Sequence, residues 1–201
     1  MQTELEAKFL NIDKDDMRRR LTSLGAVLVT PERKLMRQNF DFADSRLNKL
    51  AGWVRIRDEG DHITLTYKQL NERTLHGTKE INLTIDSFGQ ARELLNILGL
   101  EVKSEQVTMR ESWKFGDTQI EIDTWPWIPP FLELEGQSED DLRSLATKLD
   151  LDWDSAKYGS VEVAYQAVFD VTEAEVYLCP TITFTNVPDW LEARRRKEIL
   201  K

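Results

Sequence analysis

Cysteine is almost missing from this 201-residue sequence: Cys179 stands alone, so no intramolecular disulfide can form and no cysteine-based zinc cluster can be built. Histidine is scarce too, with only His62 and His76, which excludes a His-rich metal site. No apolar run approaches the length needed to cross a bilayer. The opening Met1-Gln2-Thr3-Glu4 lacks the basic-then-apolar pattern of a secretory signal. The expectation is a cytoplasmic protein with no membrane partner. Positive charge is in deficit, 27 basic residues against 36 acidic ones for a net −9, which disfavours nucleic acid as a partner. Internal repeats and low-complexity tracts are absent. Any metal must therefore be held mainly by carboxylates, which favours hard cations.

Apolar material is plentiful: 40% of residues are hydrophobic, with 8 Phe and 6 Trp, enough for a real core. It is distributed with a period of two. Thr3 to Leu10, Leu35 to Phe42, Trp53 to Arg57, Ile63 to Lys68 and Thr78 to Ile85 read as strands. Two more flank the Gly116-Asp117 turn, and Phe131 to Glu135 is the last clear one. Asp58-Glu59-Gly60-Asp61 reads as a hairpin turn by composition. Capped helices are expected from Asp13 to Leu24, Ser87 to Leu98 and Ser138 to Leu149. Trp125-Pro126-Trp127-Ile128-Pro129-Pro130 is a stiff connector rather than a central strand. Val176 to Phe184 reads as strand or loop, and Asp189 to Leu200 as a terminal helix whose Arg194-Arg195-Arg196-Lys197 run is a solvated end.

The position of the charges is informative. One strand face gathers Glu4, Glu6, Glu80, Glu121, Asp123, Glu133 and Glu135 with Lys8, Arg55, Arg57, Lys68, Arg110 and Lys114, while the opposite faces are almost wholly apolar. The expected fold is α+β: an eight-stranded antiparallel barrel turned inside out, a tunnel with a charged interior and helices packed outside. Such a face can be no more than a set of cross-strand ion pairs. The pairs Glu4/Glu6 and Glu133/Glu135, however, each set two carboxylates about 7 Å apart on one face. Like charges crowded inside are costly unless a cation or several basic groups neutralise them. Arg55/Arg57 is the mirror case and suits an anion with several oxygens. Together they fit a metal-bound polyphosphate.

These residues resemble the CYTH family of triphosphate tunnel metalloenzymes, which includes class IV adenylyl cyclases, thiamine triphosphatases and inorganic triphosphatases. Glu4-Leu5-Glu6-Ala7-Lys8 is similar to its N-terminal E-x-E-x-K signature, Val54-Arg55-Ile56-Arg57 to its R-x-R strand, and Leu65-Thr66-Tyr67-Lys68 to its L-T-x-K strand. Lys79-Glu80-Ile81, Arg110, Ile120-Glu121-Ile122-Asp123 and Leu132-Glu133-Leu134-Glu135 follow in the family's order, over roughly residues 2–168. The resemblance implies a divalent cation, Mg²⁺ or Mn²⁺, held by Glu4, Glu6, Glu133 and Glu135, with Asp123 and Glu80 serving a second metal or orienting water. It implies phosphate binding by Lys8, Arg55, Arg57, Lys68 and Arg110, and a basic residue near the tunnel mouth at Lys157. Many relatives carry a tyrosine in the second strand; Gln38-Asn39-Phe40-Asp41 has none.

The expected activity is metal-dependent hydrolysis of inorganic triphosphate or a related organic triphosphate. Cyclisation of ATP by a class IV-type adenylyl cyclase is the nearest alternative, and a non-catalytic polyphosphate- or nucleotide-binding module the next. Residues 1–169 are expected to form the tunnel domain. Residues 170–201 form an extension with three roles open to it: capping one tunnel mouth, joining a homodimer interface, or none in catalysis.

Overall fold

Alternating side chains make strands that bury one face, and here the strands close on themselves. The computed structural model describes residues 1–198, without the side chains of Gln2, Thr3 and Glu4. Its elements are β1 (Gln2–Phe9), α1 (Lys14–Leu24), β2 (Val27–Phe42), β3 (Gly52–Asp58), β4 (Ile63–Leu70), β5 (Thr78–Ile85), α2 (Phe88–Ile97), β6 (Leu100–Phe115), β7 (Thr118–Thr124), β8 (Phe131–Gly136), α3 (Glu139–Lys148), α4 (Glu162–Val168), α5 (Glu173–Tyr177), β9 (Thr181–Ile182) and α6 (Asp189–Glu192). The strand order is β2-β3-β4-β5-β1-β8-β7-β6-β9, and β2 also pairs with β6, so the first eight strands form a closed antiparallel ring. β9 adds to β6 in parallel, Glu105 opposite Thr181 and Gln106 opposite Ile182.

The apolar residues point outward, under the helices. Ala7, Phe9, Ile120, Ile122, Leu132 and Leu134 meet Met17 and Leu21 of α1 and Leu142 and Leu145 of α3. Phe40 and Ile56 meet Leu95 of α2 and Leu100. A third cluster joins Trp125, Phe131 and α4 to Val176, Cys179, Ile182 and Leu191 from the C-terminal segment. The helices begin where expected: Asp13, Ser87 and Ser138 each accept a backbone N–H three residues on. Gly25 ends α1 at φ 83°, with its N–H on the carbonyls of Leu21 and Thr22.

Four elements depart from the sequence reading. β2 begins at Val27 rather than near Leu35, and β6 at Leu100 rather than near Thr108. The two run side by side from Val27/Lys114 to Phe42/Leu100. Pro31 reads as a strand breaker, but it falls in a register shift between Thr30 and Arg33, where no ladder donor is needed. Val176 to Phe184 is neither strand nor loop alone: it holds the end of α5, a turn and β9. The terminal helix stops at Glu192, because the Arg196 N–H donates to the Val168 carbonyl and the Asp170 N–H to the Arg194 carbonyl, at 2.8 Å each. Leu200 lies outside the described residues. Among the described residues no helix is long and apolar enough to cross a membrane.

Candidate active site

The ring holds a cavity of about 460 Å³ lined mostly by polar side chains. Register sets the charges against one another. On the β1–β8 ladder Glu6 faces Glu135 and Lys8 faces Glu133; on β7–β8 Glu121 faces Glu133. Glu6, Glu133, Glu135 and Glu121 thus form an acidic wall from three neighbouring strands. Lys8, only 3% exposed, is ion-paired with Glu6 and, at 3.2 Å, with Glu133. The Lys68 ammonium lies 3.4 Å from Glu80 across the β4–β5 ladder.

The opposite wall is guanidinium-rich. Arg110 on β6 donates its Nε–H to Asp123 Oδ1 at 2.7 Å, a second N–H to Asp123 Oδ2, and reaches Glu133 Oε2 at 2.7 Å. Arg57 is paired with Glu59, and Arg33 donates to the Ser112 hydroxyl at 3.0 Å while Ser112 donates to Glu121 at 2.6 Å. Arg55 also lines the cavity.

Burial and these neighbours set the protonation states. Burial works to raise the Glu133 carboxyl, but Lys8, Arg110 and Lys68 outweigh it and hold it well below the usual carboxylate range. For Asp123, wholly buried, burial outweighs Arg110 and the pKa is raised. Glu121 is likewise pushed up by burial. Burial alone would raise Glu59; Arg57, Arg110 and Arg55 bring it down instead. Arg110 is held above its ordinary value by Asp123 and Glu133 despite its burial, so it stays a cation.

The sequence-predicted residues Glu6, Lys8, Arg55, Arg57, Lys68, Glu80, Arg110, Asp123, Glu133 and Glu135 all line this one cavity. The Glu4 side chain lies outside the described residues. Lys157 is not on the lining; its backbone exchanges two hydrogen bonds with Lys8, 2.9 Å each, and the following Gly159 to Glu162 turn into the cavity. Lys114, grouped with the inward charges from sequence, is half exposed and lies 3.9 Å from Asp117 at the β6–β7 turn. Sequence reasoning missed Arg33, Arg37, Glu59, Glu162 and Tyr177 on the lining. The parity of Arg33, Arg37 and Asn39 along β2 was the available signal for the first two. Glu59 was hidden by its turn-like neighbours and Glu162 by its helix.

Carboxylate oxygen is the donor type that hard divalent cations take. Carboxylates sit directly opposite one another, an arrangement that costs energy without positive charge between them, and oxygen donors suit Mg²⁺ or Mn²⁺. Among the described residues no three such groups converge on one point; in this arrangement Lys8 supplies the neutralising charge between Glu6 and Glu133.

Comparison with known proteins agrees with this geometry. The CYTH domain model matches residues 2–165. No curated protein sequence matches the chain. Among solved structures, a Vibrio parahaemolyticus protein proposed to be an adenylate cyclase superposes with TM-score 0.72 at 15% identity, covering 83% of this chain and 99% of its own. A Pyrococcus horikoshii protein gives 0.67 at 18%, covering 80% and 98%. A Hippeastrum protein, proposed as an adenylyl cyclase and described as having a dominant triphosphatase activity, gives 0.53 at 14%, covering 87% and 94%. At these identities the likeness is one of fold.

Proposed function

This chain belongs to the CYTH domain family, and from that premise we propose that it cleaves a phosphoanhydride bond of a triphosphate, hydrolysing inorganic triphosphate or a related organic triphosphate with a divalent cation. The observation that carries this reading is the uneven placement of charge around one cavity inside the strand ring, with carboxylates gathered on β1, β7 and β8 and guanidinium groups on β2, β3 and β6. A protein that only sequestered polyphosphate would need the basic wall alone.

Glu6, Glu133 and Glu135, joined by Glu4, would hold Mg²⁺ or Mn²⁺. Bound there, the cation would clamp phosphate oxygens and offset their charge. Lys8, Arg55, Arg57, Lys68 and Arg110 bind the remaining oxygens and stabilise charge that grows as the bridging bond breaks. Asp123 is a positioning residue: its two oxygens fix the Arg110 fork. Glu80, paired only loosely with Lys68, faces the cavity as the carboxylate able to orient a water. Lys157, tied by its backbone to Lys8, sets the entry beside Gly159 and Ser160.

The test is product analysis by anion-exchange chromatography after incubation with inorganic triphosphate, ATP or thiamine triphosphate, each with Mg²⁺ or Mn²⁺. Orthophosphate and diphosphate from triphosphate are expected. Glu6→Gln is expected to fold and lose metal-dependent turnover, and Arg57→Ala to lower kcat/KM by about a hundredfold. Cyclic AMP and diphosphate from ATP would replace hydrolysis with cyclisation. Wild-type turnover in folded Glu6→Gln would remove the metal assignment.

A further inference from the structure

Arg37 differs from Arg57 and Arg110 in its surroundings. It lines the lumen from the middle of β2 yet is only 5% exposed. Arg57 and Arg110 are answered by carboxylates, whereas Arg37 makes no ion pair among the described residues. An Nη–H donates to the Thr108 hydroxyl at 2.7 Å, and among the described residues its buried Nε–H has no acceptor. Burial and the nearby Arg57, Arg55 and Arg110 disfavour its charge, and Asp123, already engaged by Arg110, opposes them only in part. A buried guanidinium with no ion pair of its own, facing like charges, is costly to keep. A fold retains such a group where an anion completes it.

The position of Arg37 is fixed rather than accidental. Its guanidinium lies over the Trp125 ring, 4.6 Å from the centroid. Tyr165 meets Trp125 edge-on, with ring centroids 6.4 Å apart, and donates its hydroxyl to the Pro126 carbonyl at 3.0 Å. Behind this shelf stands the C-terminal segment. β9 pairs with Gln106, the same residue that Arg37 faces on the other side of β6. Tyr177 lines the cavity and donates to Asp41 on β2 at 3.1 Å. The fork is therefore held in place, with its Nε–H edge away from every acceptor among the described residues.

We propose that Arg37 is a further substrate-binding residue, outside the motif set, which takes a phosphate oxygen of the triphosphate through the Nε–H edge that Trp125 and Thr108 leave unanswered. The proposal rests on the triphosphate reading given above. It implies that β2, through Arg37, and the C-terminal segment, through its support of Trp125, both take part in setting substrate affinity.

Calorimetric titration with inorganic triphosphate, together with thermal melting, separates the possibilities. Arg37→Gln is expected to weaken triphosphate binding by about tenfold or more, since charge-assisted hydrogen bonds to an anion carry that much. Its ligand-free midpoint is expected to lie no lower than wild type, because a buried and repelled charge has been removed. Arg37→Met, which keeps a long chain over Trp125, serves if the glutamine variant does not fold, with the same loss expected. Wild-type affinity in either folded variant overturns the proposal, and more plainly so if the midpoint has fallen, which would make Arg37 a structural residue. In that case weakened binding by Arg57→Gln keeps the triphosphate reading standing. Absence of triphosphate binding by the wild-type protein removes that reading and the Arg37 proposal with it.

Discussion

Lys8 shows how a single residue reconciles the two demands on this interior. It is nearly inaccessible, lies between Glu6 and Glu133, and is bracketed by two backbone hydrogen bonds to Lys157. Removing one member of a buried ion pair leaves its partner charged in a poor solvent, at a cost of about 3–5 kcal/mol. Lys8→Met is expected to lower the unfolding free energy by about that much near neutral pH, read from urea denaturation. A loss within about 0.5 kcal/mol of zero would mean that the pair behaves like an exposed one. Residues of this kind were legible in the sequence because charged alternation on a strand otherwise flanked by apolar residues is unusual. Glu59 was not: its burial depends on a turn folding inward, its N–H on the His62 carbonyl at 2.9 Å, and composition there signals only a turn.

At the level of elements, strand parity and helix caps could be read in advance, because both are local. Asp13, Ser87 and Ser138 cap their own helices, and the inward residues of β1, β3, β4, β7 and β8 follow simple alternation. The C-terminal elements could not be read, since partners distant in sequence hold them in place: β9 borrows the edge of β6, and the chain after α6 turns aside to the carbonyl of Val168. α5, only five residues long, depends on its cap. Thr172 and Glu175 form a capping box, and Arg194 is ion-paired with Glu175. The Thr172 backbone N–H, then Arg194 and the Thr172 hydroxyl, bring the Glu175 pKa down to about 2 from its usual 4.5. A carboxylate depressed on folding stabilises above its unfolded pKa, and that stability is lost as pH falls through the folded value. The melting midpoint of Glu175→Gln is thus expected below wild type at neutral pH, with the two converging as pH drops from about 4.5 to about 2. Parallel curves across that window would show that the carboxylate charge contributes nothing to the cap.

For the molecule as a whole, the question is whether residues 170–198 are an appendage to the barrel or part of its core. The family match ends at residue 165. The packing does not end there: Val171, Val176, Cys179, Ile182 and Leu191 are each less than 8% exposed and share one cluster with Trp125, Phe131 and Phe169. Burying a side chain of that size contributes roughly 1.5–3 kcal/mol, so together they rival the net stability of a whole domain, about 5–15 kcal/mol. The segment also supplies hydrogen-bonding partners that the barrel would otherwise leave unmet. The Ser104 hydroxyl, fully buried, donates to the Cys179 carbonyl at 2.7 Å, and the Trp127 Nε1–H to the Thr185 carbonyl at 2.9 Å. Cutting the chain after Phe169 is therefore expected to give a protein that aggregates or melts without a sharp transition, because an apolar face and a buried hydroxyl are exposed at once. Leu191→Ala asks the same question more gently and is expected to cost about 2–5 kcal/mol if the segment packs as core. A truncated chain that melts cooperatively within a few degrees of the full one, with Leu191→Ala neutral, would make the segment a detachable tail. The barrel would then stand alone, and Trp125 would keep its place without it.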